Sequence, residues 1–220
     1  MISDTIAAVS TPLGEGGLSV IRVSGEEALP LVEPLVKTKT KLGQAMSHTV
    51  HYGFVRDPES GEHVDEVLIT VMRAPKTFTK EDVVEISCHG GVIPAKKVLE
   101  LLLKHGIRLA EPGEFTKRAF LNGRSDLSQA EAVIGLIRSK SDQAYSVALK
   151  QAEGRLSKEV NTIRDQLVEV MAHIEVNIDY PEHDVEQLTE RLVIERCTEA
   201  VAQIDVLLRT ANQGKILREG

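Results

Sequence analysis

The sequence predicts an α+β fold, a mixed sheet followed by part of an all-helical domain. Two observations carry this. Short β-rich runs separated by turn residues fill most of the first 120 positions, with two helical patterns and a hairpin among them. Beyond residue 125 the apolar residues instead recur at helical steps. A chain of 220 residues accommodates two such units, expected at 1–120 and 121–220.

"TIAAVS" and "LSVIRVS" read as strands on either side of the glycine turn "PLGEGG". "SGEEALPLVEPLV" reads as a short helix, with Ser24 as N-cap, Glu27 three residues on, and Pro30 and Pro34 limiting its length. "TVHYGFV" and "EVLITVM" flank "RDPESGEH", whose Asp-Pro and Ser-Gly steps predict a β-hairpin. "DVVEIS" is a further strand. "GVIPAKKVLELLLKHG" has helical spacing at Val92, Val98, Leu99, Leu102 and Leu103 and ends at Gly106, a C′ glycine. "IRLA" closes the sheet. Asn122-Gly123 then predicts a turn with positive φ. Ser128 with Glu131 gives a capping-box pattern ahead of "AVIGLI". Leu156, Val160, Ile163, Leu167, Val170 and Ile174 alternate steps of four and three, the seam of a helix packed on helices, and Ile178 follows. This seam is expected to leave an exposed apolar stripe along Leu156–Ile174. Pro181 in "DYPEHD" forces a turn, and Leu188, Leu192, Val201, Ile204 and Leu208 suggest one or two more helices.

Composition narrows the function. The chain is 42% hydrophobic and 27% charged, as in ordinary globular proteins. Its net charge of −7, with the larger acidic excess after residue 120, argues against binding of a phosphate backbone by charge alone. Aromatics at 3%, with no Trp, argue against a stacking platform for single strands. Two cysteines, Cys88 and Cys197, make no disulfide framework. There is no basic n-region at the N-terminus and no apolar run of membrane length, so the chain reads as cytosolic and soluble.

The glycine turn is not a nucleotide loop. No segment supplies G-x-x-x-x-G-K-[ST], and Ser19 stands where a dinucleotide fingerprint needs its third glycine. Cys88 and His89 are neighbours on a strand and face opposite sides, and His48 and His51 match no zinc spacing. Arg22, inside an apolar strand, and Glu85, in "VVEIS", each need a partner if buried. A structural pair between strands and a ligand site both stay open on these residues. "EPGEFTKRAFLNGRSDLSQAEA", Glu111–Ala132, places two of the four Phe in a charged connector, which suggests an anchor between two domains.

Four motifs occur in the order seen in the tRNA modification GTPase family of the MnmE/TrmE type. They are "DTIAAVSTPLGEGGLSVIRVSG", "FTKEDVVEISCHGG", "PGEFTKRAFLNGRSDLSQAEA" and "IDYPEHD", and the chain resembles that family through nearly its whole length. The resemblance implies a folate-binding, dimer-forming α+β domain and the first part of a central helical domain. It also implies a Ras-like GTPase domain inserted where this chain ends, so that this part alone does not hydrolyse GTP. The family acts with a flavoprotein of the MnmG/GidA type to place a carboxymethylaminomethyl or aminomethyl group on the wobble uridine of tRNA. Reduced folate (5-formyl- or 5,10-methylenetetrahydrofolate) supplies the carbon, and GTP, Mg²⁺ and K⁺ serve the GTPase domain. Carried over by motif, the folate contacts fall on Arg22, Glu85 and Arg124, where the family often has Lys at the last. A carboxylate suits the pterin's N–H donors and an Arg suits the carboxylates of the glutamate tail, with the share of Arg22 and Arg124 left open. No catalytic residue and no metal ligand is assigned. The alternatives are a dimerisation scaffold without folate and a folate-dependent aminomethyltransferase-like enzyme.

Overall fold

In the computed structural model, residues 4–179 and 190–219 are described, with side chains for 4–179 and 191–209. They divide into two compact units, one up to Arg124 and one from Ser125.

The first unit is built on a seven-stranded sheet. Its strands are β1 (Ile6–Val9), β2 (Leu18–Ser24), β3 (Val36–Thr38), β4 (Thr49–Arg56), β5 (His63–Met72), β6 (Val83–His89) and β7 (Arg108–Leu109). They lie in the order β3-β4-β5-β6-β2-β1-β7. Every pairing is antiparallel except β1 with β7, which makes the sheet mixed as expected. The hairpin β4–β5 turns through Asp57, whose Oδ1 accepts the Glu59 N–H at 2.8 Å, and Gly61 at φ +76°.

Strand alternation separates the two faces. Ile21, Val23, Ile69, Val71, Val84, Ile86 and Cys88 point to one face and are buried. Helices α1 (Ala28–Val32) and α2 (Val92–Lys104) cover that face, the latter through Ala95, Val98, Leu101 and Leu102. Leu101 replaces the expected Leu103 in the buried set, and Val92, in the first turn, is exposed. Gly106 takes φ +90° just past the helix, as a C′ glycine does.

Two local expectations are corrected. Ser24 caps no helix. It stays in β2, its hydroxyl shares a 2.6 Å hydrogen bond with Thr79 and donates to Glu81 at 2.7 Å, and α1 starts only at Ala28. The segment Glu114–Leu121, read as connector, is a helix, α3, and it belongs to the first unit.

The second unit is helical: α4 (Leu127–Arg138), α5 (Asp142–Ala152), α6 (Arg155–Asp179) and α7 (Glu190–Glu219). Asp126, not Ser128, caps α4, in a reciprocal capping box with Gln129. Of the α6 seam, Ile163 and Val170 are buried, while Leu156, Val160 and Ile174 stay exposed. The expected turn at Pro181, and Leu188, lie outside the described residues.

Candidate functional site

Arg22 on β2 and Glu85 on β6 face each other directly in the antiparallel register. The Arg22 guanidinium donates through Nε at 2.8 Å and Nη2 at 2.7 Å, both to Oε1 of Glu85. Among the described residues, no hydrogen bond reaches Oε2. The pair sits on the sheet face opposite the core, with about a quarter of each side chain exposed (28% and 24%). Its carboxylate thus keeps one acceptor oxygen available without a buried charge left unpaired.

Aromatic rings flank the guanidinium. Phe78, from the segment between β5 and β6, and Phe115, from α3, both have ring centroids 5.6 Å from the Arg22 Cζ. Arg124, just after α3, lies over the same Phe78 ring at 4.8 Å. Arg22 and Arg124 therefore share one aromatic ring, and Glu85 joins them through its pair with Arg22. The two cations and the carboxylate suit a ligand that is anionic at one part and rich in N–H donors at another.

What holds α3 against the sheet was not foreseen. Arg118, 1% exposed, donates to Glu114 at 3.1 Å, Asp4 at 2.6 Å and Glu81 at 3.2 Å. Arg108 donates to Glu114 at 2.5 Å and to Asp4 at 2.6 Å. Hydrogen bonds from Arg108, the Glu111 N–H and Arg118 outweigh burial and hold the Glu114 carboxyl down at about 2. Burial opposes the Arg118 charge, but Glu114, Glu81 and Asp4 overcome it and keep its pKa above the ordinary value. The one signal available was Glu114 and Arg118 four apart, a helical ion-pair spacing.

Other candidates separate. Cys88 is buried, donates to the Ser19 carbonyl at 3.5 Å, and burial pushes its thiol up to about 11, unsuited to a nucleophile. His89 is exposed and pairs with Asp65 at 2.6 Å, which raises its pKa. His48 meets Ser47 and His51 meets Thr49, and among the described residues no cluster could hold a metal. A Cβ on Gly90, just past β6, would come 1.9 Å from the Gly16 carbonyl oxygen, so the glycine turn packs its backbone against the end of β6. A cavity of about 850 Å³ lies by Glu33, Lys37, Arg56 and Arg73, and none of Arg22, Glu85 or Arg124 lines it.

These features define a class: an α+β domain with one sheet face sealed by helices and a charged, aromatic-flanked site on the other, followed by a helical domain. Residues 5–124 match the family model described as the N-terminus of the GTP-binding protein TrmE, and residues 127–220 match the MnmE helical domain. The chain belongs to the TrmE/MnmE family. It is 60% identical to the tRNA modification GTPase MnmE of Geobacillus thermodenitrificans and 59% to that of Geobacillus kaustophilus, over 220 residues and 99% of this chain. The Bacillus velezensis protein of the same name is 57% identical. The chain spans about half (48%) of the length of these relatives. Among the described residues, no helix is long and apolar enough to cross a membrane.

Proposed function

We propose that this chain is the reduced-folate-binding and dimer-forming part of a cytoplasmic tRNA-modifying GTPase. The observation that carries the reading is that Arg22 and Arg124 lie over the same Phe78 ring while Arg22 pairs with Glu85. In this role the Glu85 Oε2 accepts N–H donors of a pterin edge, Arg22 holds that carboxylate in place through Oε1, and Arg124 meets a tail carboxylate. Phe115 offers flat apolar surface to the ring system. Bound folate supplies a one-carbon unit; the chain's own residues bind and orient it. The substrate is the wobble uridine of tRNA, modified to the 5-carboxymethylaminomethyl form with a flavoprotein partner of the MnmG/GidA type. GTP, Mg²⁺ and K⁺ act in sequence that the relatives have beyond this half of their length.

Calorimetric titration with 5-formyltetrahydrofolate tests this. Saturable binding that is lost in Glu85→Ala and in Arg22→Ala supports the reading. Since Arg22 and Glu85 already pair at 2.7 Å, a second reading makes them a structural clamp in a dimerisation scaffold. That reading gains if a folded wild-type dimer binds no folate.

A further inference from the structure

Phe78 belongs to a segment fixed at both ends. The Ala74 N–H donates to Asp82 at 2.8 Å, and Thr77 Oγ1 donates to the Glu81 carbonyl at 2.7 Å. Thr79, fully buried, shares its hydroxyl with Ser24 at 2.6 Å. The same segment grips the end of α3, because Asn122 Nδ2 donates to the Thr79 carbonyl at 2.7 Å and Lys80 Nζ to the Gly123 carbonyl at 2.9 Å. Arg124 follows directly, and its guanidinium lies over Phe78. Backbone stitching brings the loop close, but it does not orient a long Arg side chain. Among the described residues Arg124 makes no ion pair, so its ordered contact is this ring.

We propose that Phe78 is a positioning residue, whose ring aligns Arg22 and Arg124 beside the Glu85 carboxylate and so makes one preformed site from two distant parts of the chain. The ring quadrupole attracts both guanidiniums, and its rigid plane limits the rotamers each must give up when an anion binds. The ligand side of this inference rests on the folate reading above; the alignment of the two arginines does not.

The test uses the whole chain with Phe78→Leu, and Phe78→Tyr as the conservative variant that keeps a ring. In NMR spectra the side-chain protons of Arg22 and Arg124 are expected upfield in wild type and Phe78→Tyr, displaced by the ring current, and at ordinary positions in Phe78→Leu. Titration with 5-formyltetrahydrofolate is expected to weaken about tenfold in Phe78→Leu, the scale of one to two cation–π contacts, and to recover in Phe78→Tyr. Unshifted arginine protons in wild type overturn the proposal even if Phe78→Leu does not fold. So does wild-type affinity in Phe78→Leu when Arg22→Ala and Glu85→Ala have lost binding. If neither of those two variants affects the titration, the folate reading fails, and the arginine shifts still decide whether Phe78 positions them.

Discussion

Arg118 shows how much of the first unit depends on one side chain. Its guanidinium is almost completely buried among Glu114, Glu81 and Asp4 and also donates to the Asp4 carbonyl at 2.8 Å. Arg118→Ala would leave Glu81 without its guanidinium partner and Glu114 and Asp4 with Arg108 alone, and a loss of about 3 kcal/mol is expected in urea unfolding. Lys is expected to restore little, because a single ammonium cannot serve three carboxylates in fork geometry. Glu114 gives the same network a pH dependence. Its folded-state pKa is depressed from 4.5 to about 2, chiefly by Arg108. A depressed carboxylate contributes stability that is fully present above its unfolded value and lost as pH falls through the folded one. The gap between wild type and Glu114→Gln should therefore be about 2 kcal/mol at pH 7, allowing for screening at the half-exposed Arg108, and narrow steadily below pH 4.5. A gap that stays constant to pH 2.5 would mean that Glu114 acts through packing rather than charge.

At the scale of elements, strong local patterns were legible and competing ones were not. The hairpin, α2 and the long α6 could be read because turn chemistry and apolar period agree over many residues. Ser24 carries a good capping signature, yet its backbone pairs with Val83 and its hydroxyl is taken by Thr79, so tertiary pairing wins. At α4 two capping patterns, Asp126 with Gln129 and Ser128 with Glu131, overlap within six residues, and Asp126 wins by bonding the Gln129 N–H at 2.9 Å. Asp126→Ala should cost about 1 kcal/mol of thermal stability and Ser128→Ala clearly less. The candidate site was half legible. Arg22 and Glu85 stand out as charges within apolar strands, whereas Phe78 and Phe115 gain meaning only when two loops and α3 fold onto the sheet. The glycine turn and the end of β6 that it packs against make a similar point. Gly14 has open space around a built Cβ, while Gly90 faces backbone at 1.9 Å. Gly14→Ala is expected to be silent and Gly90→Ala to shift the turn and lower the melting temperature by several degrees, on the order of 2 kcal/mol or more.

At the scale of the whole molecule, the open sheet face is the surface on which the proposed dimer can be tested. Val20, Ser87, Leu68 and Tyr52 form one cross-strand row on it, next to the row of Arg22, Glu85, Thr70 and Val50. Val50 is 60%, Tyr52 57% and Leu68 44% exposed, an apolar surface on the side of the sheet that α1 and α2 leave uncovered. An antiparallel sheet can face water on one side, but a contiguous apolar patch there marks a contact surface. If the proposed dimer forms through this face, the face would meet its own copy about a two-fold axis, so each substitution would act twice. Leu68→Asp tests it with little risk to the fold, since the new charge reaches solvent in the monomer. Sedimentation equilibrium should then show wild type as a dimer and Leu68→Asp as a monomer with an unchanged circular dichroism spectrum. Ile137→Asp, exposed on α4 in the helical unit, serves as the comparison and should remain dimeric. Because Leu68 stands two residues from Thr70, the cross-strand neighbour of Glu85, loss of the dimer should also weaken folate binding. A Leu68→Asp protein that stays dimeric would move the contact off this face. One that is monomeric yet binds folate as wild type would separate assembly from the site.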